Sequence, residues 1–224
     1  MRSSVVLLVG MGCTHVGPDA DWFTEPETEE LRRTSYLEGQ RCWDTGGVTT
    51  GDVALTNNAS CLKPSCIHSD YGEEGAFSTA RFEVTEDLSI DSLAYGLRHG
   101  GYCNAELPHT VLMWASESSV PQTKPNLSHV ARVRGEAVNG LNWYEVDFED
   151  SLDVDVGDYV FVGVELAGDP WKDSLCLRIC KDDKTPDANW FSQTPEPPFA
   201  WRPSGVTGKP NVYDIDFAVR GFSR

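Results

Sequence analysis

The chain has 224 residues and a formal net charge of -17, from 35 acidic against 18 basic residues. That excess works against nucleic acid and against an anionic membrane surface, because both need clustered Lys and Arg. Seven Trp, 13 Pro and 20 Gly are the composition of short strands joined by turns, which argues against a helical bundle.

The chain opens with Arg2, an apolar stretch from Val5 to Val9, and then Gly10, Met11 and Gly12 before Cys13. Apart from residues 5 to 12, no apolar run approaches the roughly 18 residues of a membrane-spanning helix. A positive charge, an apolar stretch and small residues ahead of a cysteine resemble a bacterial lipoprotein signal. The resemblance implies that Cys13 is the lipid anchor and that membrane contact is made through it alone. It also implies export to the cell envelope, at the outer membrane or surface of a Gram-negative bacterium. The alternative is a buried first strand ending in an ordinary cysteine, but the acidic, Pro-containing stretch that follows favours a tether. Residues 14–39 read as that tether. A short helix is expected around Pro26 to Arg33, with Thr24 as cap and Glu27, Glu29 and Glu30 suiting its N-terminus.

Residues 40–224 read as one domain, without an internal repeat or a boundary rich in Gly, Ser or Pro. Its dominant signal is alternation of apolar and polar residues, the period of a half-buried strand. "ARFEV" puts Ala80, Phe82 and Val84 on one face, and "VYDIDFAVR" puts Tyr213, Ile215, Phe217 and Val219 inward. "LSIDSLAYGL", "HTVLMWA", "SHVARVRG", "NWYEVDF", "DYVFVGVELA" and "SLCLRIC" belong to the same class, with weaker segments at "RCWD" and "GDVAL". Turn signals such as "HGG", "VNGLN" and "VGD" separate them. The expected fold is all-β: an antiparallel two-sheet β-sandwich of jelly-roll type, about eight to ten strands, containing disulfides.

Several motifs carry a resemblance. "HTVLMWASESSVPQTKPN", "NWYEVDFEDSLDVDVGDYVFVGVE", "ANWFSQTPEPPFAW" and "YDIDFAVRG" resemble the jelly-roll modules of secreted and surface proteins of Gram-negative bacteria. The similarity runs from about Phe77 to Gly221. It implies a fold and an extracellular setting, and it carries no catalytic residue across.

Beyond Cys13 there are six cysteines, Cys42, Cys61, Cys66, Cys103, Cys176 and Cys180, an even number that fits a disulfide framework in an oxidising compartment. A zinc pair is the rival reading of "CLRIC", yet zinc pairs usually sit in turns and this one lies in an alternating strand. In an extended strand Cys176 and Cys180 stand roughly 13 Å apart at ~3.3 Å per residue, beyond the ~7 Å that a disulfide tolerates. Each therefore takes a partner from Cys42, Cys61, Cys66 and Cys103. A Cys61–Cys66 loop around "LKPS" would leave Cys42 and Cys103 for the strand, although spacing does not fix connectivity.

No hydrolase elbow, zinc-protease motif or phosphate loop is present, and the five histidines show no ligand spacing. The acidic run holding Asp147, Glu149, Asp150, Asp153, Asp155 and Asp158 is a candidate for structural calcium, which takes oxygen ligands. Its competitor is a solvated strand edge whose charges deter aggregation. The aromatic, Pro-rich segment "NWFSQTPEPPFAWRP" offers Trp190, Phe191, Phe199 and Trp201 as a stacking surface for a sugar, or as a cover over the end of the sandwich. The sequence thus points to a non-catalytic exported surface lipoprotein whose domain binds a ligand, with a glycan or an envelope protein as partner. A secreted hydrolase with a dispersed site and a purely structural envelope protein are the alternatives.

Overall fold

The computed structural model describes residues 28–33, 53–56, 64–67, 76–169, 172–180, 188–194, 196–204, 214–215 and 217–224. Cys13, Cys42, Cys61, Tyr213 and all of the expected tether except residues 28–33 lie outside them. The described residues contain strands and no helix. In chain order these are β1 (Glu29–Glu30), β2 (Arg32–Arg33), β3 (Val53–Thr56), β4 (Pro64–Ile67), β5 (Ala76–Glu83) and β6 (Leu88–His99). Next come β7 (His109–Ser116), β8 (His129–Arg134), β9 (Gly140–Val154), β10 (Tyr159–Leu166), β11 (Gly168–Asp169) and β12 (Asp173–Ser174). The last are β13 (Cys176–Cys180), β14 (Asn189–Ser192), β15 (Trp201–Pro203), β16 (Asp214–Ile215) and β17 (Phe217–Ser223). The sequence estimate of eight to ten strands counts only runs long enough to alternate. Two-residue pieces such as β1 and β11 carry no periodic signal.

Two large sheets form. The first has the order β1-β8-β7-β10-β5-β14-β15. In the second, β6 pairs β9 along one side and β17 and β13 along the other, with β3 beyond β17 and β4 and β16 beside β13. Pairing is antiparallel throughout both, except that β1 runs parallel to β8. The chain changes sheet at nearly every long connection: β5 to β6, β6 to β7, β8 to β9, β9 to β10 and β13 to β14.

The alternation in sequence explains what lies between the sheets. Phe82, Val111, Met113, Val133, Val160, Val162 and Val164 from the first sheet meet Leu93, Tyr95, Leu97, Tyr144, Val146, Leu177, Ile179, Phe217 and Val219 from the second in one buried cluster. These are the inward positions that period two assigns. Along β6 the inward set changes parity, from Leu88 and Ile90 to Leu93, Tyr95 and Leu97. The cause is an irregularity between Ile90 and Ser92, where β9 and β17 both shift register. Gly221 sits at that shift, and a Cβ there would come within 2.5 Å of the Ser89 carbonyl oxygen and 2.9 Å of Ile90 Cα. Only glycine permits so close an approach.

The N-terminal segment corrects two expectations. Residues Glu29 to Arg33 are strand rather than helix, and they are docked on the domain instead of serving as tether. β1 pairs with β8 of the first sheet, β2 pairs antiparallel with β9 of the second, and Leu31 between them is buried in the main cluster. Its N–H donates to the Arg134 carbonyl at 2.8 Å. An eight-residue helix is marginal in water. Two open sheet edges and a pocket for one leucine outweigh its caps.

One disulfide is described, between Cys103 and Cys176, with Cα atoms 5.3 Å apart. It fastens the turn after β6 to the start of β13. Cys180 is disulfide-bonded as well. The strand β13 is extended, so Cys176 and Cys180 take different partners.

Candidate functional site

The outer face of the first sheet carries a second apolar cluster. Phe77 of β5, Leu112 and Trp114 of β7, Phe161 of β10, Trp190 of β14 and Phe199 form it, with Leu127, Val130, Tyr159 and Trp201 packed around its margin. Each belongs to the parity opposite to the main core: Phe77 against Ala80 and Phe82, Phe161 against Val160 and Val162. Trp114 and Phe161 are direct cross-strand partners and stack at 5.3 Å with planes 12° apart. Trp201 stacks on Trp114 at 6.0 Å and 24°, and Phe199 lies 4.8 Å from Trp201.

In sheet order β7 and β15 are separated by β10, β5 and β14, a spread of ~19 Å at ~4.8 Å per step. Rings from β7 and β15 nonetheless touch, so the hairpin of β14 and β15 leans back over the outer face. Two hydroxyls shape the loop that joins these strands. Ser192 Oγ accepts from the N–H groups of Thr194 (3.2 Å) and Ala200 (3.1 Å), and Thr194 Oγ1 accepts from Ala200 N at 3.1 Å. Two further bonds fix the loop to the segment between β7 and β8: Phe199 N donates to the Thr123 carbonyl at 2.8 Å, and Trp201 Nε1 to the Gln122 carbonyl at 2.9 Å.

This arrangement divides the four aromatic residues of the candidate sugar platform. Phe199 is 1% exposed and Trp190 8%, so both are cluster residues rather than an open stacking surface. Phe191 points to the opposite side of the sheet, against the main core, because it alternates with Trp190. Trp201 alone of the four is half-buried on the outer face, its indole oriented by ring stacking and by the bond to Gln122. Within the cluster the indole N–H groups of Trp114 and Trp190 are buried with no acceptor among the described residues.

The acidic run is likewise corrected. Asp147, Glu149, Asp150, Asp153 and Asp155 are exposed and strung along β9 and its turn. Among the described residues no three His, Cys, Asp or Glu side chains are grouped to hold a metal ion. Asp155 pairs with Arg224 at 2.5 Å and Asp153 lies 3.7 Å from it, while Asp153 also accepts from Ser89 Oγ at 2.8 Å. Asp153 and Asp155 share one side of the strand, but the cation between them is the Arg224 guanidinium.

Two of the histidines, which show no ligand spacing in the sequence, have defined roles in the fold. His109 is fully buried beneath the first sheet, with Nδ1 2.8 Å from the Leu107 carbonyl and Nε2 2.6 Å from Tyr95 Oη. The carbonyl can only accept, so Nδ1 carries the proton and Nε2 receives the Tyr95 hydroxyl. Burial lowers the His109 pKa to about 4, and the charge of Arg132 acts in the same direction, against the Leu107 bond. Burial and Tyr144 raise that of Tyr95. His129 lies at the sandwich edge between β8 and β9. On the outer face, Arg132 bonds Glu165 at 2.5 Å and Thr110 Oγ1 at 3.0 Å, closing the end of the sheet away from the aromatic cluster.

No family model matches the chain, and no curated protein matches it. Among solved structures, it is similar to a crystal structure of the cysteine protease and lectin-like domains of Cwp84, a surface layer associated protein of Clostridium difficile. The TM-score is 0.52 at 10% identity, over 80% of this chain and 37% of that one. This chain thus matches little more than a third of that chain's length, and the likeness concerns fold.

Proposed function

We propose that this chain is an exported surface module that binds carbohydrate through a jelly-roll sandwich, held at the cell envelope of a Gram-negative bacterium by lipid on Cys13. The observation that carries the reading is the fold likeness to a surface-layer-associated protein with a lectin-like domain. Frequent passage of the chain between two antiparallel sheets supports the jelly-roll assignment.

The contact residue proposed for the sugar is Trp201. Its ring packs against Trp114 and Phe199, its N–H is engaged by Gln122, and it is half-buried; the exposed part of the indole is the surface assigned to a pyranose ring. A ring already fixed in position loses little freedom on binding. The test is glycan-array screening of the soluble chain from residue 14 onward, followed by titration of the best glycan against Trp201→Ala. Loss of a central aromatic contact weakens binding by about 1 to 3 kcal/mol. Absence of glycan binding, or unchanged affinity in the variant, would overturn the assignment.

A further inference from the structure

The edge where β8 meets β9 holds an arrangement that carbohydrate binding does not use. Ser128 is exposed, and its Oγ lies 2.7 Å from His129 Nδ1. His129 is 6% exposed, and its Nε2 lies 2.9 Å from the backbone carbonyl oxygen of Asp150. The ring meets Phe148 edge to face at 5.5 Å. Because a carbonyl oxygen only accepts, Nε2 carries the proton, and Nδ1 presents its lone pair to the Ser128 hydroxyl. Nucleophile, base and orienting group therefore stand in the order of a serine hydrolase, with the two ring nitrogens exchanged relative to the Ser-His-Asp template.

The backbone supplies a second, independent observation. Ser92 pairs with Asp147 and Ile90 with Leu152, so Phe148 to Ser151 stand opposite Asp91 alone. The excess lifts this stretch of β9 out of its ladder and toward the other sheet, where Asp150 offers its carbonyl to His129. Bulges that re-aim a group in this way recur beside active sites. On β8 the alternation that buries Val133 turns His129 inward toward the excursion. Ser128, just before the strand, faces solvent.

We propose that Ser128 is a nucleophile activated by His129, acting on short-chain acyl esters. Oγ forms a bond to the ester carbonyl carbon while its proton passes to His129 Nδ1. Collapse of the tetrahedral adduct breaks the bond to the alkoxy oxygen, which takes the proton from Nδ1 and leaves as an alcohol. Water then gives a proton to Nδ1 and attacks the acyl carbon. The bond to Oγ breaks, Oγ recovers the proton, and a carboxylic acid departs. The sequence needs no oxidant, reductant or metal. Ser128 opens directly on the surface beside Leu127, which suits short acyl groups. This inference does not rest on the carbohydrate reading.

The experiment treats the folded full chain with a fluorophosphonate probe and maps the adduct by peptide mass spectrometry, with p-nitrophenyl acetate turnover measured in parallel. The expected result is an adduct on Ser128 that is absent in Ser128→Ala, at least tenfold slower to form in His129→Gln, and absent in chain unfolded by urea. If His129→Gln does not fold, Ser128→Ala and the unfolded chain decide the matter. No adduct on Ser128, or equal labelling of folded and unfolded chain, overturns the proposal.

Discussion

Lowering the pH tests the buried Tyr95–His109 pair. The folded state holds His109 neutral with its pKa lowered to about 4 from 6.5. Between those values the unfolded chain binds a proton that the native state refuses, so stability rises with pH across the window. The contribution is fully present above pH 6.5 and is lost as pH falls toward 4. At ~1.4 kcal/mol per pH unit, the interval from 6.5 to about 4 amounts to about 3 kcal/mol. The assay is urea unfolding of the wild type and of His109→Gln at several pH values from 7.5 to 4. Glutamine can still accept from Tyr95 and donate to the Leu107 carbonyl, but it does not titrate. The stability lost by the wild type on acidification should therefore exceed that lost by the variant by about 3 kcal/mol. Carboxylates and the other histidines contribute equally to both and cancel. Parallel pH profiles would refute the reasoning, because they would mean that His109 titrates alike in the folded and unfolded chain.

Three further outcomes are expected. Leu31→Ala should cost about 2 to 4 kcal/mol in chemical denaturation, since Leu31 is 4% exposed in the main core; a loss below about 0.5 kcal/mol would mean that the N-terminal strap is not docked. Phe199→Ala should lower stability by about 3 to 5 kcal/mol through the cavity it leaves in the outer aromatic cluster, and an unchanged melting temperature would show Phe199 to be free of that cluster. Replacing Cys103 and Cys176 together with Ala should destabilise by about 4 kcal/mol in the chain-entropy model, given a sequence separation of 73, a loss read from the shift in the urea midpoint.

The sheets were legible in the sequence wherever one face is buried and the other is not. "ARFEV" and "DFAVR" place Phe82, Val84, Phe217 and Val219 correctly, because period two admits a single register against a core. That Cys176 and Cys180 do not pair with each other was legible for a similar reason, since an extended strand fixes how far apart they must lie. The strap at Glu29 to Arg33 was not legible: its acidic residues suit a helix start, and the edges that claim its backbone come from β8 and β9, more than a hundred residues away. The excursion in β9 left one trace, the three-residue spacing from Ile90 to Leu93 on its partner β6, where strict alternation requires two. The aromatic segment was ambiguous for a physical reason. Rings that cover an outer face and rings that hold a sugar have the same composition, and only the lean of the β14 and β15 hairpin over Trp114 decides which of them stay open.

The most direct measurement of the central claim is isothermal titration of the soluble chain and of Trp201→Ala with the strongest glycan from an array, below the melting temperature of both. The account predicts saturable binding by the wild type that weakens about 5- to 150-fold in the variant, while both chains keep the same far-ultraviolet spectrum. Equal affinity of the two chains, or no glycan bound by the wild type, would contradict it.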